Sequence, residues 1–502
     1  MKRDLLRPYA LNGVDRISEL PSRGLSGRPL PVLAVNAAPG WWRLSATARA
    51  ERGSRLAYFA LCCYLISQAY MVPVLPFGPS WAVWPTLADI SVALMAVSVF
   101  YRGFLSGNHR NVIKGLVLVI SVISISYLGQ TVLMGLLGVR DMDNNNGIIF
   151  GGFQLYRILQ FAFIFWASGR VPMTPARLNT LRIIVMCVFL FVCITIALTF
   201  QSTVSTAIFA PQIPDDVKVG GPWSKFYLNN YEKDGLGTIG YDHSYPASQV
   251  LLLLGLHIHL CLGKRRTLNS FLMLLALGVI FITGSRTVLA GALVYALVMM
   301  LEDPRHAVVA LIVVVLGITV LSLGELGGSG MSDRILERQS ALLNPVESGF
   351  SGRDTRWELH LNNLNKSPVN WIIGSGFGAT FEFGVHAHMN YLQVISETGY
   401  IGFITAAIFA YIVLSALWKV DVAKHPIFWV TIALLVTAFT EETFYPIAHK
   451  THFIGFYLCS LAIALRRTSR GMADRNSGSC RVRGEGRANT YQAYPSFTTQ
   501  HL

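Results

Sequence analysis

The side chains of this sequence best suited to chemistry are Arg286 in FITGSRTVLAG, Arg353 and Arg356 in SGRDTRW, and His386 and His388 in HAHMNYLQ. An imidazole titrates near neutrality, so His388 suits the removal of a proton from a sugar hydroxyl as that oxygen attacks. Two other roles stay open for it. It could hold an interfacial hydrogen bond, or join His386 as an HxH metal pair, although spacing supplies no third ligand. Arg286 follows Gly284 and Ser285, small residues that let a phosphate approach the backbone at a helix start. Its planar fork suits an anion at membrane depth, most naturally a lipid-linked diphosphate. The alternative is snorkelling, in which the guanidinium reaches the headgroups and binds nothing specific. Arg353 and Arg356 are either solvated loop charges beside Asp354 and Glu358 or, with Arg286, a cluster that stabilises a departing diphosphate as charge develops on it.

These residues need elements to hold them, and the composition says what kind. Of 502 residues, 53% are hydrophobic and 14% charged, with a mean hydropathy of +0.48. Such a chain belongs in a bilayer, where a helix needs about 20 residues to cross. The pattern predicts an all-α polytopic membrane protein with about twelve transmembrane helices. The expected spans are 56–74, 86–101, 115–139, 147–166, 183–200, 245–262, 268–282, 287–301, 307–324, 400–418, 426–445 and 453–465. Residues 1–55 and 466–502 read as disordered basic tails. The segments 201–243 and 325–399 read as external loops, the second lying between spans nine and ten.

A formal charge of +14 invites a nucleic-acid reading, but most of the 41 basic residues fall in the tails and short turns. That placement follows the positive-inside rule and puts both termini in the cytoplasm. A nucleic-acid surface would gather the charge on one folded face. None of the seven cysteines lies in an external segment, so disulfides are not expected to hold the loops. The first apolar run starts near Leu56 and is too long for a cleavable signal peptide.

Other signals carry less. Asp141-Met142-Asp143 resembles a metal-nucleotide DxD, but the next residues, Asn144-Asn145-Asn146-Gly147, favour an external turn. The glycines of Gly374-Ser375-Gly376-Phe377-Gly378 suggest a tight turn near the site. Asp89 and Arg157 are charges inside spans and should face the bundle interior, where Arg157 could join the phosphate cluster. Glu441-Glu442, with His449 and His452 beyond, either line the same cavity or are interfacial charges seeking partners.

In these segments the chain resembles the O-antigen ligase and polymerase family, the Wzy/WaaL/ExoQ-like membrane glycosyltransferases. The resemblance rests on the Gly284-Ser285-Arg286 turn and the G-R-x-x-x-W of Gly352, Arg353 and Trp357. It continues in the Pro368…Gly374-x-Gly376 turn, His388 followed by Tyr391-Leu392-Gln393, and Glu397-x-Gly399. Met389 stands where members of the family often carry asparagine. The resemblance implies a C-type glycosyltransferase-like fold with a large periplasmic loop in a bacterial inner membrane. It implies transfer of an undecaprenyl-diphosphate-linked oligosaccharide onto a growing polysaccharide acceptor, with no cofactor and no metal. A chain-length regulator is a candidate partner. Carried onto this sequence, His388 is the expected base and Arg286 and Arg353 the diphosphate ligands, with Arg356 and Arg157 as further cations and Ser285, His386 and Glu397 in support. Two rivals stand beside this polymerase reading: a ligase that moves a finished glycan onto lipid A-core or protein, and a transporter of lipid-linked oligosaccharide. Transporters usually show two related halves, which this sequence lacks.

Overall fold

The computed structural model describes residues 41–69, 85–96, 105–137, 146–201, 244–261, 266–283, 285–302, 353–379, 386–420, 426–446 and 452–467. All the regular elements among them are helices: α1 (Trp41–Ser67), α2 (Leu87–Met95), α3 (Gly107–Ser126, continuing as a π-helical turn Tyr127–Leu133 and then Met134–Leu136), α4 (Asn146–Arg170), α5 (Pro175–Gln201), α6 (Ser244–Cys261), α7 (Arg266–Ile282), α8 (Arg286–Glu302), α9 (Arg353–Asn365), α10 (Pro368–Ile373), α11 (Asn390–Trp418), α12 (Pro426–Thr437) and α13 (Phe453–Arg467). By internal contacts the chain divides into two units, Met1–Arg49 and Ala50–Leu502. Of the first, only the beginning of α1 is described.

Among the described residues, Gly107–Leu136, Pro175–Ala197 and Asn390–Trp418 are long and apolar enough to cross a membrane. Shorter apolar helices cover Gly53–Ser67, Thr267–Phe281, Arg286–Leu301, Pro426–Thr437 and Phe453–Arg466. Polarity is arranged as a bilayer requires. Tyr400, Ile401, Ile404, Ile408 and Tyr411 are exposed along α11, whereas Gln154, Gln393, Glu397 and Glu442 are buried. A helix satisfies its backbone internally, which is why apolar runs in lipid take this form.

α6 lies at the centre, with all its residues buried, and packs against α5, α7, α8, α12 and α13. Small residues permit these approaches. A Cβ on Gly255 would meet Val430 of α12 at 2.4 Å, and one on Gly291 of α8 would meet the Ala433 carbonyl at 2.9 Å. α11 lies along α3 and α13 along α4.

Local signals account for several helix ends. Thr86 and Asp89 form a capping box at the start of α2, and Ser106 caps α3. Ser367 caps α10, with Pro368 in its first turn, and Gly374 at φ 74° ends it.

Several boundaries differ from the expectation, three of them in ways that bear on the site or the tail. A helix begins at Trp41, inside the segment read as a disordered tail. The tenth span starts early, because α11 begins at Asn390 and is broken at Gly399 (φ 63°, ψ −168°), so the expected start at Tyr400 is where the helix resumes. The eleventh span is cut short. α12 stops at Thr437, and residues 438–446 turn back, closed by a 3.0 Å hydrogen bond between the Thr437 and Thr443 hydroxyls. The expected ninth span, the 202–243 segment and residues 1–40 and 468–502 lie outside the described residues.

Candidate functional site

The turn after α12 carries Glu441 and Glu442, and four other parts of the chain meet it. Ser244, at the start of α6, donates to Glu441 Oε2 at 3.0 Å. Thr287, the second residue of α8, donates to Glu441 Oε1 at 3.4 Å. Arg353, the first residue of α9, donates from Nη2 to the same oxygen at 2.6 Å. The 386–389 turn meets the neighbouring acid, the His388 amide donating to Glu442 Oε1 at 2.9 Å. Tyr245 donates to the Glu442 carbonyl at 2.7 Å, fixing the turn from α6. Both acids are buried. Charges in such a place need partners, which explains why these helix ends converge on them.

Arg353 and His388 are therefore tied to consecutive residues of one turn. Arg286 opens α8 directly before Thr287, so its helix start shares Glu441 with Arg353. Ser285 precedes it, with its hydroxyl oxygen buried and without a hydrogen-bond partner among the described residues. Gly284 lies outside them. Arg356 sits half-buried one turn into α9 and makes no ion pair among the described residues. His386 Nδ1 lies 3.9 Å from Glu442 Oε1, and its ring lies 6.2 Å from that of Tyr445.

His388 is the one non-glycine among the described residues with a left-handed backbone, at φ 49°. That conformation costs a non-glycine residue about 1–3 kcal/mol and persists only where surroundings over-determine it. Here they do. The Trp357 indole donates to the Ala387 carbonyl at 2.9 Å, the Ala387 amide donates to Gln393 Oε1 at 2.9 Å, and the His388 amide is held by Glu442. The tryptophan of the G-R-x-x-x-W segment thus braces the histidine turn.

Glu397 lies beneath this turn. Gln393 Nε2 donates to its Oε1 at 3.0 Å, and Tyr445 Oη donates to its Oε2. Gly374, Ser375 and Gly376 lock against the same stretch of α11, with the Ser375 amide on the Ser396 carbonyl at 2.9 Å and the Gly376 amide on the Glu397 carbonyl at 3.0 Å. Ser126, at the entrance to the π-helical turn of α3, donates to the Glu397 carbonyl at 3.0 Å and accepts from the Phe377 amide at 3.1 Å. The glycine-rich segment is a tight turn, as its composition suggests; it lies against the irregular part of α3, while α10 packs on α11.

Arg157 has a different setting from the one expected of a phosphate ligand. Its guanidinium is ion-paired with Asp89 and also bonds Gln160 Oε1 at 2.8 Å and His452 Nε2 at 2.9 Å. The charge is balanced within this buried group, which ties α2, α4 and the start of α13 together. His452 belongs to it as well, 3.0 Å from Asp89 Oδ1. His449 lies outside the described residues.

Sequence reasoning left the acidic pair between two roles, gave Gln393 no role beyond its place in the resemblance, and passed over Tyr445. The available signal was two adjacent carboxylates in an apolar run, which demand partners from other helices. No group of three or more His, Cys, Asp or Glu suited to a metal occurs among the described residues.

Chemically, the site offers an imidazole on a strained turn and a guanidinium oriented by a carboxylate. Arg353 commits one N–H to Glu441, and a guanidinium carries five such donors, so the rest of the fork is available to a second oxyanion. No family model matches the sequence, and no curated protein matches it significantly.

Proposed function

We propose that the chain is a bacterial inner-membrane glycosyltransferase that lengthens a polysaccharide from an undecaprenyl-diphosphate-linked oligosaccharide. The observation that carries this reading is the attachment of Arg353 and His388 to Glu441 and Glu442, with the Arg286 helix start on the first of those acids. A cationic fork and a histidine-bearing turn tied to adjacent acids suit a reaction that takes a proton from one group while negative charge develops on another. In the full proposal about twelve helices cross the bilayer in a C-type glycosyltransferase-like arrangement. Both termini are cytoplasmic, and the long loop and the site face the periplasm.

In the reaction, a hydroxyl oxygen of the acceptor glycan attacks the anomeric carbon of the donor. The hydroxyl proton passes to the imidazole of His388. The bond between the anomeric carbon and the phosphate oxygen breaks, and its electron pair leaves with undecaprenyl diphosphate. Arg286 and Arg353 stabilise that leaving group, with Arg356 as an added cation. Glu441 orients the Arg353 fork and Glu442 fixes the turn bearing His388.

The test is lengthening of lipid-linked repeat units by purified protein in detergent, where transport has no meaning. Wild-type protein is expected to produce a ladder of glycans. His388→Ala should abolish it, and Arg286→Lys should lose most of it, because a point charge does not replace a bidentate fork. Transfer only to lipid A-core would replace this reading with the ligase. Full lengthening by His388→Ala would remove the base assignment.

A further inference from the structure

We propose that Gln393 is the positioning residue for the turn that carries His388, and that Glu397 and Tyr445 act by fixing which way its amide points. The catalytic consequence rests on the glycosyltransferase reading, whereas the hydrogen-bond order does not.

The Ala387 amide is a donor, so the Gln393 atom facing it at 2.9 Å must be the carbonyl oxygen. The amide nitrogen of Gln393 then points the other way and needs an acceptor. It finds Glu397 Oε1 at 3.0 Å. The flipped rotamer would set two donors against each other at Ala387, and at an ionised Glu397 two acceptors, so the observed orientation is the one that satisfies both neighbours. The second oxygen of Glu397 takes the Tyr445 hydroxyl, so both oxygens are engaged. Gln393 and Glu397 are fully buried and Tyr445 nearly so, which leaves no bulk water to repair a wrong orientation.

Glu397 and Tyr445 are each anchored by further bonds. Glu397 is held through its carbonyl by Ser126 and Gly376, and Tyr445 belongs to the acidic turn, its amide bonding the Glu442 carbonyl at 3.1 Å. The line Tyr445–Glu397–Gln393–Ala387 therefore runs from the turn bearing Glu442 back to the turn bearing His388. Together with the bond between Glu442 and the His388 amide it closes a ring around the histidine backbone. Gln393 and Glu397 stand one helical turn apart on α11, the spacing at which side chains meet.

This order can be reversed without loss. With Gln393→Glu and Glu397→Gln together, Glu at 393 accepts from both Ala387 and the new amide, whose oxygen accepts from Tyr445. Gln393→Glu alone places two buried carboxylates face to face. Glu397→Gln alone is milder, because Tyr445 also reaches Gln154 Oε1 at 3.4 Å and can turn its proton there.

The experiment measures thermal unfolding and glycan lengthening for wild type, Gln393→Glu, Gln393→Leu and the Gln393→Glu/Glu397→Gln pair. Gln393→Glu should lower Tm and cut kcat at least tenfold. The pair should return Tm to within a few degrees of wild type and kcat to within about threefold. Gln393→Leu should lower kcat with KM unchanged, by about a hundredfold if the imidazole moves by 1 Å. If the pair is no better than Gln393→Glu in both readouts, Glu397 does not act through Gln393 and the proposal is wrong. Restored Tm with no lengthening by wild type would overturn the glycosyltransferase reading and leave the hydrogen-bond order standing.

Discussion

Gly399→Ala tests how the site is joined to the membrane helices. Gly399 interrupts α11 at φ 63° and ψ −168°, a region open essentially to glycine, and a side chain there costs about 1–3 kcal/mol in backbone strain. Space adds to this cost. The new Cβ would lie 2.2 Å from the Ile372 carbonyl oxygen, 2.3 Å from its carbon and 2.5 Å from the Ile373 nitrogen. These are backbone atoms, so no rotamer change relieves the overlap, and α10 must withdraw by about 1 Å to reach ordinary contact distance. That movement stretches the bonds from Ser375 to Ser396 and from Gly376 to Glu397, each worth about 0.5–1.5 kcal/mol. The sum is about 2–6 kcal/mol, concentrated where Glu397 supports the histidine turn. Thermal unfolding of detergent-solubilised protein, followed by intrinsic fluorescence, should show a lower Tm with a parallel loss of lengthening. Gly278→Ala in α7 is the control, since nothing lies within 4 Å of its added Cβ. It should hold or raise Tm, because alanine is favoured over glycine in a helix by about 1 kcal/mol. A Gly399→Ala protein as stable and active as the control would refute the close docking of α10 on α11.

The same contacts set three other outcomes. His388→Gly should keep or raise Tm, because glycine adopts φ 49° without strain, while lengthening falls about 10²–10⁴-fold with the base removed. A retained rate would contradict the base, and a collapsed Tm would make the ring structural. Asp89→Asn should destabilise by about 3–5 kcal/mol, since it strands the buried Arg157 charge, and adding Arg157→Met should recover part of the loss in a thermal melt. No recovery would mean that the charge pair is not the reason. Trp357→Phe keeps the ring but removes the bond to the Ala387 carbonyl, so kcat should fall several-fold with Tm changed little; an unaltered kcat would show that the brace is unnecessary.

The sequence alone determined that the chain is helical and built for a bilayer, and where several helices turn. The break between α7 and α8 at 283–285 and the resumption of α11 at Tyr400 are visible as a Gly-Ser-Arg turn and a glycine before an apolar run. Helix bonds join residues four apart, and membrane burial depends on runs of one residue class, so both leave a local trace. What touches what leaves no such trace. Arg157 could be placed inside the bundle by its apolar surroundings, but its partner His452 is 295 residues away, and only packing brought Asp89 and His452 to it. Arg353 meets Glu441 across 88 residues and His388 meets Glu442 across 54. The early stop of α12 belongs to the same class. The stretch 426–445 is apolar enough to continue as a helix, yet it bends at Thr437 and the turn brings Glu441 and Glu442 to the ends of α6, α8 and α9. A buried carboxylate must find donors wherever the fold supplies them, and that supply is fixed by the tertiary arrangement.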